Sequence, residues 1–357
     1  MKLMRTEDAV GSILCQDVTQ IIKDRFKGPV FRKGHVIQAE DIPVLLSIGK
    51  EHLYVWEQKE GILHENDAAA VLRDLCQNRF MTDSEPKEGK IELRAAADGL
   101  FKVRTQALLA VNETPEMMIA TRHGNMPVKK GDLLAGMRII PLAIEEEKMK
   151  ALKAEVEKIT EGKPILSLKP YVHKKAGIVT TGSEVFKGRI SDTFTPVVVQ
   201  KLQEYGAEIS GHIVTDDNAD MTTEAVMKLI AEGADLVVCT GGMSVDPDDR
   251  TPLAIRNTGA EIVIYGSPVL PGAMFMMGYL KTADRKEEPE EGTAAGLKCI
   301  LGLPGCVMYA RRTVFDLMLP RIMADDRITG KEIASLGEGG LCLSCETCTW
   351  PNCGFGA

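Results

Sequence analysis

From Ala176 to Met323 short apolar runs alternate with amphipathic stretches, and this alternation restricts the second half of the chain more than any other feature. Residues 176–180, 209–215, 235–240, 261–266 and 299–303 each read as a strand, and 235–240 carries the continuous apolar run Leu236-Val237-Val238-Cys239, as a strand covered on both faces does. Helices are predicted between them: 193–205, burying Val197, Val198 and Leu202 and stopping at Gly206; a helix capped by Asp220 and carrying Val226, Leu229 and Ile230 to Gly233; Thr251–Asn257; and 307–323. Right-handed crossovers place such helices on both faces of a mostly parallel sheet, so the predicted fold class is α/β.

Upstream the punctuation changes. Short runs such as Leu53-Tyr54-Val55-Trp56 are separated by glycine-bearing turns at Gly28, Gly34, Gly99 and Gly131, the pattern of small β-rich modules. Helices are expected at 42–48 and 68–75, and residues 81–90 are expected as an exposed loop joining modules 1–80 and 81–143. At 144–159 Met149, Leu152, Val156 and Ile159 recur at helical spacing, supported by the Glu146/Lys150 pair and ended by Gly162 and Pro164. This linker helix, 144–163, is expected to join the N-terminal part to an α/β domain at 164–335, leaving 336–357 as a tail. Residues 283–296, charged and broken by proline and glycine, are expected as a surface excursion.

A length of 357 residues suits two or three domains, and a net charge of −8 opposes binding of nucleic acid or an anionic membrane through bulk charge. The N-terminus meets charge within a few residues. The apolar stretch 269–280 is interrupted by Pro271, Gly272 and Gly278 and falls short of the ~20 residues of a membrane span. A cytoplasmic protein, without nucleic-acid or membrane partners, is the expectation.

In open parallel sheets ligands gather at the carboxyl ends of the strands. The polar clusters of this sequence fall there: Thr180-Thr181-Gly182-Ser183-Glu184, Thr215-Asp216-Asp217, the run from Thr240 to Pro252, and Leu303-Pro304-Gly305. Taken singly, a strand–glycine–helix junction is often only a tight turn and an aspartate more often a cap than a ligand. Together they define a candidate site. Gly241 and Gly242 permit close backbone approach to a phosphate, Ser244 offers a hydroxyl, and Asp249 suits a divalent cation or an ordered water.

These runs, in this order over roughly 150 residues, resemble the domain shared by molybdopterin molybdotransferases and molybdopterin adenylyltransferases. Ala9-Val10-Gly11-Ser12-Ile13-Leu14 and Lys33-Gly34-His35-Val36-Ile37 also look like the N-terminal region of the molybdotransferases. The resemblance implies a molybdopterin-binding fold, a homodimer, and a pterin ligand, molybdopterin or its adenylylated form, held near Thr181, Gly182, Glu184, Asp192, Gly241, Gly242, Ser244, Thr251, Pro304 and Gly305. It implies magnesium-linked, catalytic roles for Asp249 and Asp216, and pocket-shaping roles for Thr251 and Pro252. The family's Thr-Gly-Asp-Glu has Ser183 here, its Pro-Gly-Lys-Pro becomes Pro271-Gly272-Ala273-Met274, and its late Asn-Pro becomes Cys306-Val307. Binding is therefore better supported than molybdenum insertion. The alternatives are a magnesium-dependent molybdotransferase or adenylyltransferase, a non-catalytic carrier or sensor, and a nucleotide-processing enzyme, since Asp-Asp-Arg-Thr-Pro also looks like the loop of the competence-damage-inducible proteins.

Of nine cysteines, Cys15, Cys76, Cys239, Cys299 and Cys306 are scattered, as small core residues are. The other four, Cys342, Cys345, Cys348 and Cys353, follow a glycine-rich linker at 337–340 with the spacing C-x2-C-x2-C-x4-C. They are the expected ligands of one metal centre. The run resembles that of a bacterial ferredoxin-type [4Fe–4S] cluster with the last gap one residue longer, and Zn2+ is the alternative.

Overall fold

The computed structural model describes residues 2–22, 26–55, 60–244, 246–282 and 292–357. Trp56, Val245 and most of the expected excursion at 283–296 lie outside them. The chain divides into two compact units: residues 1–96, 103–122 and 130–167, and residues 97–102, 123–129 and 168–357.

The first unit is built of small sheets. Lys2–Arg5 pairs with His52–Val55, and Val18–Ile22 with Phe26–Phe31. Ala9, Leu14, Val18, Ile37, Leu45, Leu53 and Val55 form a core of their own beside them. Helices occupy Asp41–Ser47 and Glu65–Cys76, the second longer at both ends than the expected 68–75, and a further helix, Thr105–Glu113, was not expected. A four-stranded antiparallel sheet orders Met81–Asp83, Lys90–Ala95, Leu133–Ile139 and Met117–Thr121. Residues 81–90 therefore form a hairpin within one sheet, Met81 standing opposite Ala95, rather than a loop between modules. The helix Glu146–Thr160 buries Met149, Leu152 and Val156 within this same unit.

In the second unit the six-stranded sheet consists of β1 (Lys175–Thr181), β2 (Glu208–Thr215), β3 (Leu236–Thr240), β4 (Glu261–Tyr265), β5 (Met276–Leu280) and β6 (Lys298–Leu303), in the order β2-β1-β3-β6-β5-β4. The pairs from β2 to β6 are parallel, whereas β5 is antiparallel to both its neighbours. The sheet is mostly parallel, as predicted, and its one reversed strand, β5, was not among the predicted strands. Its faces are read off alternate residues. Ile178, Leu236, Val238 and Leu301 pack with Val198 and Leu202 of α1 (Phe194–Gln203) and Phe315, Met318 and Ile322 of α4 (Val314–Met323). Val179, Val237, Cys239 and Ile300 pack with Val226, Leu229 and Ile230 of α2 (Ala219–Ala231) and Ile255 of α3 (Thr251–Asn257). Each fully buried aliphatic side chain contributes about 1.5–3 kcal/mol.

Two helix starts differ from expectation. α2 is capped by Asn218, whose side chain accepts the Met221 N–H at 3.0 Å, and Asp220 lies inside its first turn. The expected helix 307–323 is divided: a single 3-10 turn covers Gly305–Met308, and α4 begins afresh at Thr313, where Thr313 and Asp316 exchange side-chain and backbone hydrogen bonds in a capping box. Beyond α4, Asp326 is 3% exposed and takes three cations: Lys102 at 2.8 Å, Lys169 at 2.8 Å and Arg321 at 2.7 Å. Burial pushes its carboxyl up, but Arg321 and the two lysines outweigh burial and bring it down to about 2.

A carboxylate held lower in the folded than in the unfolded chain stabilises the fold above its unfolded value, near 4, and that contribution fades as pH falls through its folded value. Asp326→Asn takes one carboxylate from Lys102, Lys169 and Arg321, of which the buried Arg321 keeps Glu332, and is expected to cost about 3 kcal/mol at neutral pH. Denaturant unfolding between pH 7 and pH 2 should show this gap from the parent narrowing by about 2 kcal/mol below pH 4 or so. A gap that stays constant down to pH 2 would contradict the role given to Asp326.

Candidate functional site

The strand register brings four loops into one row. Thr181 stands opposite Thr215, Thr180 opposite Thr240, and Thr240 opposite Leu303, so the segments that follow β2, β1, β3 and β6 leave the sheet side by side at its carboxyl edge. The connection from β4 to β5, which holds Pro271, Gly272 and Ala273, starts from the same edge because β4 runs with β6. Ala273 is exposed there.

The loop after β3 is fastened to β1. The Thr181 hydroxyl donates to the Thr240 carbonyl at 3.2 Å and lies 3.1 Å from the Thr251 hydroxyl, which in turn donates to the Gly241 carbonyl at 2.9 Å. A Cβ on Gly241 would come within 2.3 Å of the Thr181 carbonyl oxygen, and one on Gly242 within 2.7 Å of the Thr251 hydroxyl. Both glycines have positive φ, +83° and +56°. Packing against Thr181 and Thr251 thus demands glycine at these positions before any ligand is considered. Next to them Met243, 3% exposed, inserts toward Gly302 of β6, where a Cβ would meet its Sδ at 2.5 Å. The loop is keyed into the sheet from beneath.

Ser244 is exposed, and its backbone N–H donates to Asp249 Oδ2 at 2.7 Å. Asp249 therefore closes the loop through one oxygen, while Oδ1 accepts no hydrogen bond from the described residues. Asp216 Oδ1 accepts the hydroxyl of Ser183 and the backbone N–H of Asp217, the latter at 2.9 Å, and Oδ2 lies 3.6 Å from Lys187 Nζ. The Ser183 hydrogen bond first, then the Asp217 N–H and the Lys187 ammonium, hold the Asp216 carboxyl below the usual carboxylate range. Ser183, where the molybdotransferases carry aspartate, thus joins the first loop to the second. β1 stands between β2 and β3, so the strands that lead to Asp216 and Asp249 lie two strand spacings apart, on the order of 10 Å.

Asp192 uses both carboxylate oxygens at the start of α1. Oδ1 accepts the N–H groups of Phe194 and Thr195 at 2.9 and 3.0 Å, and Oδ2 accepts the hydroxyls of Thr180 and Thr195 at 2.9 and 2.6 Å. Burial pushes this carboxyl up, and the hydrogen bonds from Thr195, Thr180 and Phe194 outweigh it. His212 Nε2 lies 2.9 Å from Thr180 Oγ1 and 3.5 Å from Asp192 Oδ2, completing a polar network that sequence reasoning missed. A histidine alternating with apolar residues along a strand carries no motif. Asp192 thus takes the Phe194 and Thr195 N–H groups at the start of α1, and Asn218 the Met221 N–H of α2. Of the other candidates, Gly182 N–H reaches the Thr215 carbonyl at 3.3 Å, Glu184 and Gly305 are exposed, and Pro252 and Pro304 are buried.

Cys15, Cys76, Cys239 and Cys299 are buried, and burial pushes the Cys76, Cys239 and Cys299 thiols up to about 12, which suits inert core residues. Cys306 is half-buried. Cys342, Cys345, Cys348 and Cys353 all line one cavity of about 510 Å³. Among the described residues no three His, Cys, Asp or Glu side chains are gathered closely enough to hold a metal ion, and no helix is long and apolar enough to cross a membrane.

Comparison with known proteins matches residues 177–324 to the family described as "Probable molybdopterin binding domain" and residues 3–57 to one described as "Domain of unknown function (DUF8806)". A CinA-like protein of Mycobacterium sp. (strain MCS) is 32% identical over 159 residues, which cover 41% of this chain and 37% of that protein. The chain thus spans well under half the length of that relative. Among solved structures, the molybdopterin biosynthesis enzyme MoaB of Thermus thermophilus is 24% identical, with 42% of this chain and 91% of that one covered and a TM-score of 0.31. The tungsten cofactor synthesizing protein MoaB of Pyrococcus furiosus is 17% identical over 42% of this chain and 88% of that one, with a TM-score of 0.29. Residues 177–324, less than half of the chain, are thus similar to the molybdopterin-binding domain family.

Proposed function

We propose that the carboxyl edge of the six-stranded sheet binds molybdopterin or its adenylylated form, and that the protein serves molybdenum cofactor biosynthesis. The observation that carries this reading is the row of four loops, with the glycine-bearing loop after β3, which carries Asp249, at its centre and Asp216 at the end of β2. Backbone N–H groups of the loops cradle the pterin phosphate, and Asp249 Oδ1 holds magnesium or a magnesium-bound water against it. Asp216, fastened to Ser183 and Lys187, borders the site at the end of β2. Thr181 and Thr251 shape the loop, and Asp192 supports it from the start of α1.

A second reading, the magnesium-dependent molybdotransferase, is favoured by the unengaged oxygen of Asp249. Against turnover stands Ala273, a neutral side chain on the β4–β5 connection where the molybdotransferases carry a lysine. The two readings separate in an insertion assay with molybdopterin, ATP, magnesium and molybdate: turnover supports the transferase, and tight binding without turnover supports a carrier or sensor. Free nucleotides binding more tightly than molybdopterin would overturn both.

Asp249→Asn keeps an acceptor for the Ser244 N–H but removes the charge, whereas Asp249→Ala removes both. In calorimetric titrations with molybdopterin, the Asn variant should lose the magnesium dependence and about tenfold in affinity, roughly 1.4 kcal/mol. The Ala variant should lose more, through a loosened loop. Wild-type affinity and magnesium dependence in the Asn variant would remove Asp249 from the site.

Ala273→Lys returns a cation to the edge. Molybdopterin should then bind several-fold more tightly at low ionic strength, with the gain shrinking as salt screens it. Unchanged affinity at low salt would place the β4–β5 connection away from the phosphate.

A further inference from the structure

The glycine-rich stretch before the tail is not a free linker. Leu341 lies beside Leu270 in a parallel bridge, with the Cys342 N–H donating to the Leu270 carbonyl and the Leu270 N–H to the Gly340 carbonyl, each at 2.8 Å. At the far end Phe355 is 4% exposed in the core of the second unit, and the Gly356 N–H returns to the Gly339 carbonyl at 2.9 Å. The segment Cys342–Cys353 is thus held at both ends, and it contains neither helix nor strand. Its cavity of about 510 Å³ is walled on the other side by Tyr309–Arg312, the stretch between the 3-10 turn and α4.

We propose that Cys342, Cys345, Cys348 and Cys353 bind one [4Fe–4S] cluster in this cavity. Each thiol gives up its proton, and the four sulfurs bond one iron each of a cluster assembled from two ferrous ions, two ferric ions and four sulfides. Four thiolates on a 2+ core leave a net charge of −2, which needs donors and cations around it. The cavity supplies them. Arg311 donates to the carbonyls of Glu346 and Cys345, and so fixes the turn between the second and third cysteines. It makes no ion pair with a described carboxylate. Arg312, paired with Asp316 at 2.8 Å, stacks 4.5 Å from the centre of the Trp350 ring. The buried Trp350 Nε1–H has no hydrogen-bond partner among the described residues, and a cluster or thiolate sulfur is the acceptor it lacks.

Two observations favour a cluster over a single zinc ion. The three closely spaced thiols followed by a fourth follow the ligand run of a cluster, while structural zinc sites typically pair their cysteines across a longer insertion. The cavity has room for a cubane core, and one ion would leave most of it void. The four sulfurs are not gathered closely enough to hold a metal as they stand, and in sites of this kind the metal supplies the force that closes the loop. The connection carrying Leu270 and the segment after Pro304 both arise from the carboxyl edge, so the cluster is seated beside the last loops of the pterin site without drawing on any of its proposed ligands.

The test uses the full-length protein, purified without oxygen and reconstituted with ferrous and ferric iron in equal amounts and sulfide. A brown protein with about four iron and four sulfide per chain, which gives a paramagnetic signal on reduction with dithionite, is expected. Cys348→Ser should lose most of the iron and the four-serine variant all of it, with circular dichroism unchanged. Should the variants fail to fold, stripping the wild-type protein with a chelator and restoring the cluster gives the same readout. Protein that takes up no iron, a well-folded four-serine variant with wild-type iron content, or colourless protein with about one zinc per chain would each overturn the proposal. None of these readouts depends on pterin binding.

Discussion

Strands β1 and β3 have protein on both faces, and that constraint organises the second unit. Apart from Lys175 at its start, every residue of β1 is buried, and so is every residue of β3. Such strands have little place for polar side chains along their length, because each would need a partner in a space filled by Val226, Leu229, Leu202 and their neighbours. Polarity is deferred to the carboxyl ends. There Thr180, Thr181 and Thr240 satisfy one another and the adjoining loops through hydroxyls small enough to remain buried. The candidate site stands on this layer of threonines. Its loops take their positions from hydroxyl contacts below them before any ligand arrives.

The same layer explains which parts of the molecule could be read from the sequence. β1, β3 and β6 were legible because double burial writes an apolar run, and α3 was legible from Thr251 to Asn257 because Pro252 and the following apolar residues mark a helix start. β5 was not. Pro271, Gly272 and Gly278 break its apolar run, and its direction depends on pairing with Ile300 and Ile262, which no local pattern records. The break between Met308 and Thr313 was hidden for the opposite reason: apolar periodicity continues across it, and only the Thr313/Asp316 box shows that a new helix begins.

Within the site, sequence placed the loops correctly on the edge but could not apportion the work inside them. Gly241 and Gly242 look the same in sequence whether they make room for a phosphate or for Thr181 and Thr251, and the structure shows the second demand directly. Asp192 reads as a ligand by position and acts as a helix cap by geometry. His212 and Met243 were invisible, since each owes its place to residues distant in the chain: Thr180 and Asp192 for the histidine, Gly302 for the methionine.

The insertion of Met243 toward Gly302 has a consequence for anyone who would move this loop to another scaffold. The segment from Gly241 to Pro252 is not a self-contained cassette. Its footing includes a notch in the neighbouring strand, made by a glycine far downstream that touches no ligand. A graft that carries the loop without the notch would transplant the right chemistry on the wrong foundation, and a damaged notch in the parent would present itself as poor binding rather than as a fault in the sheet.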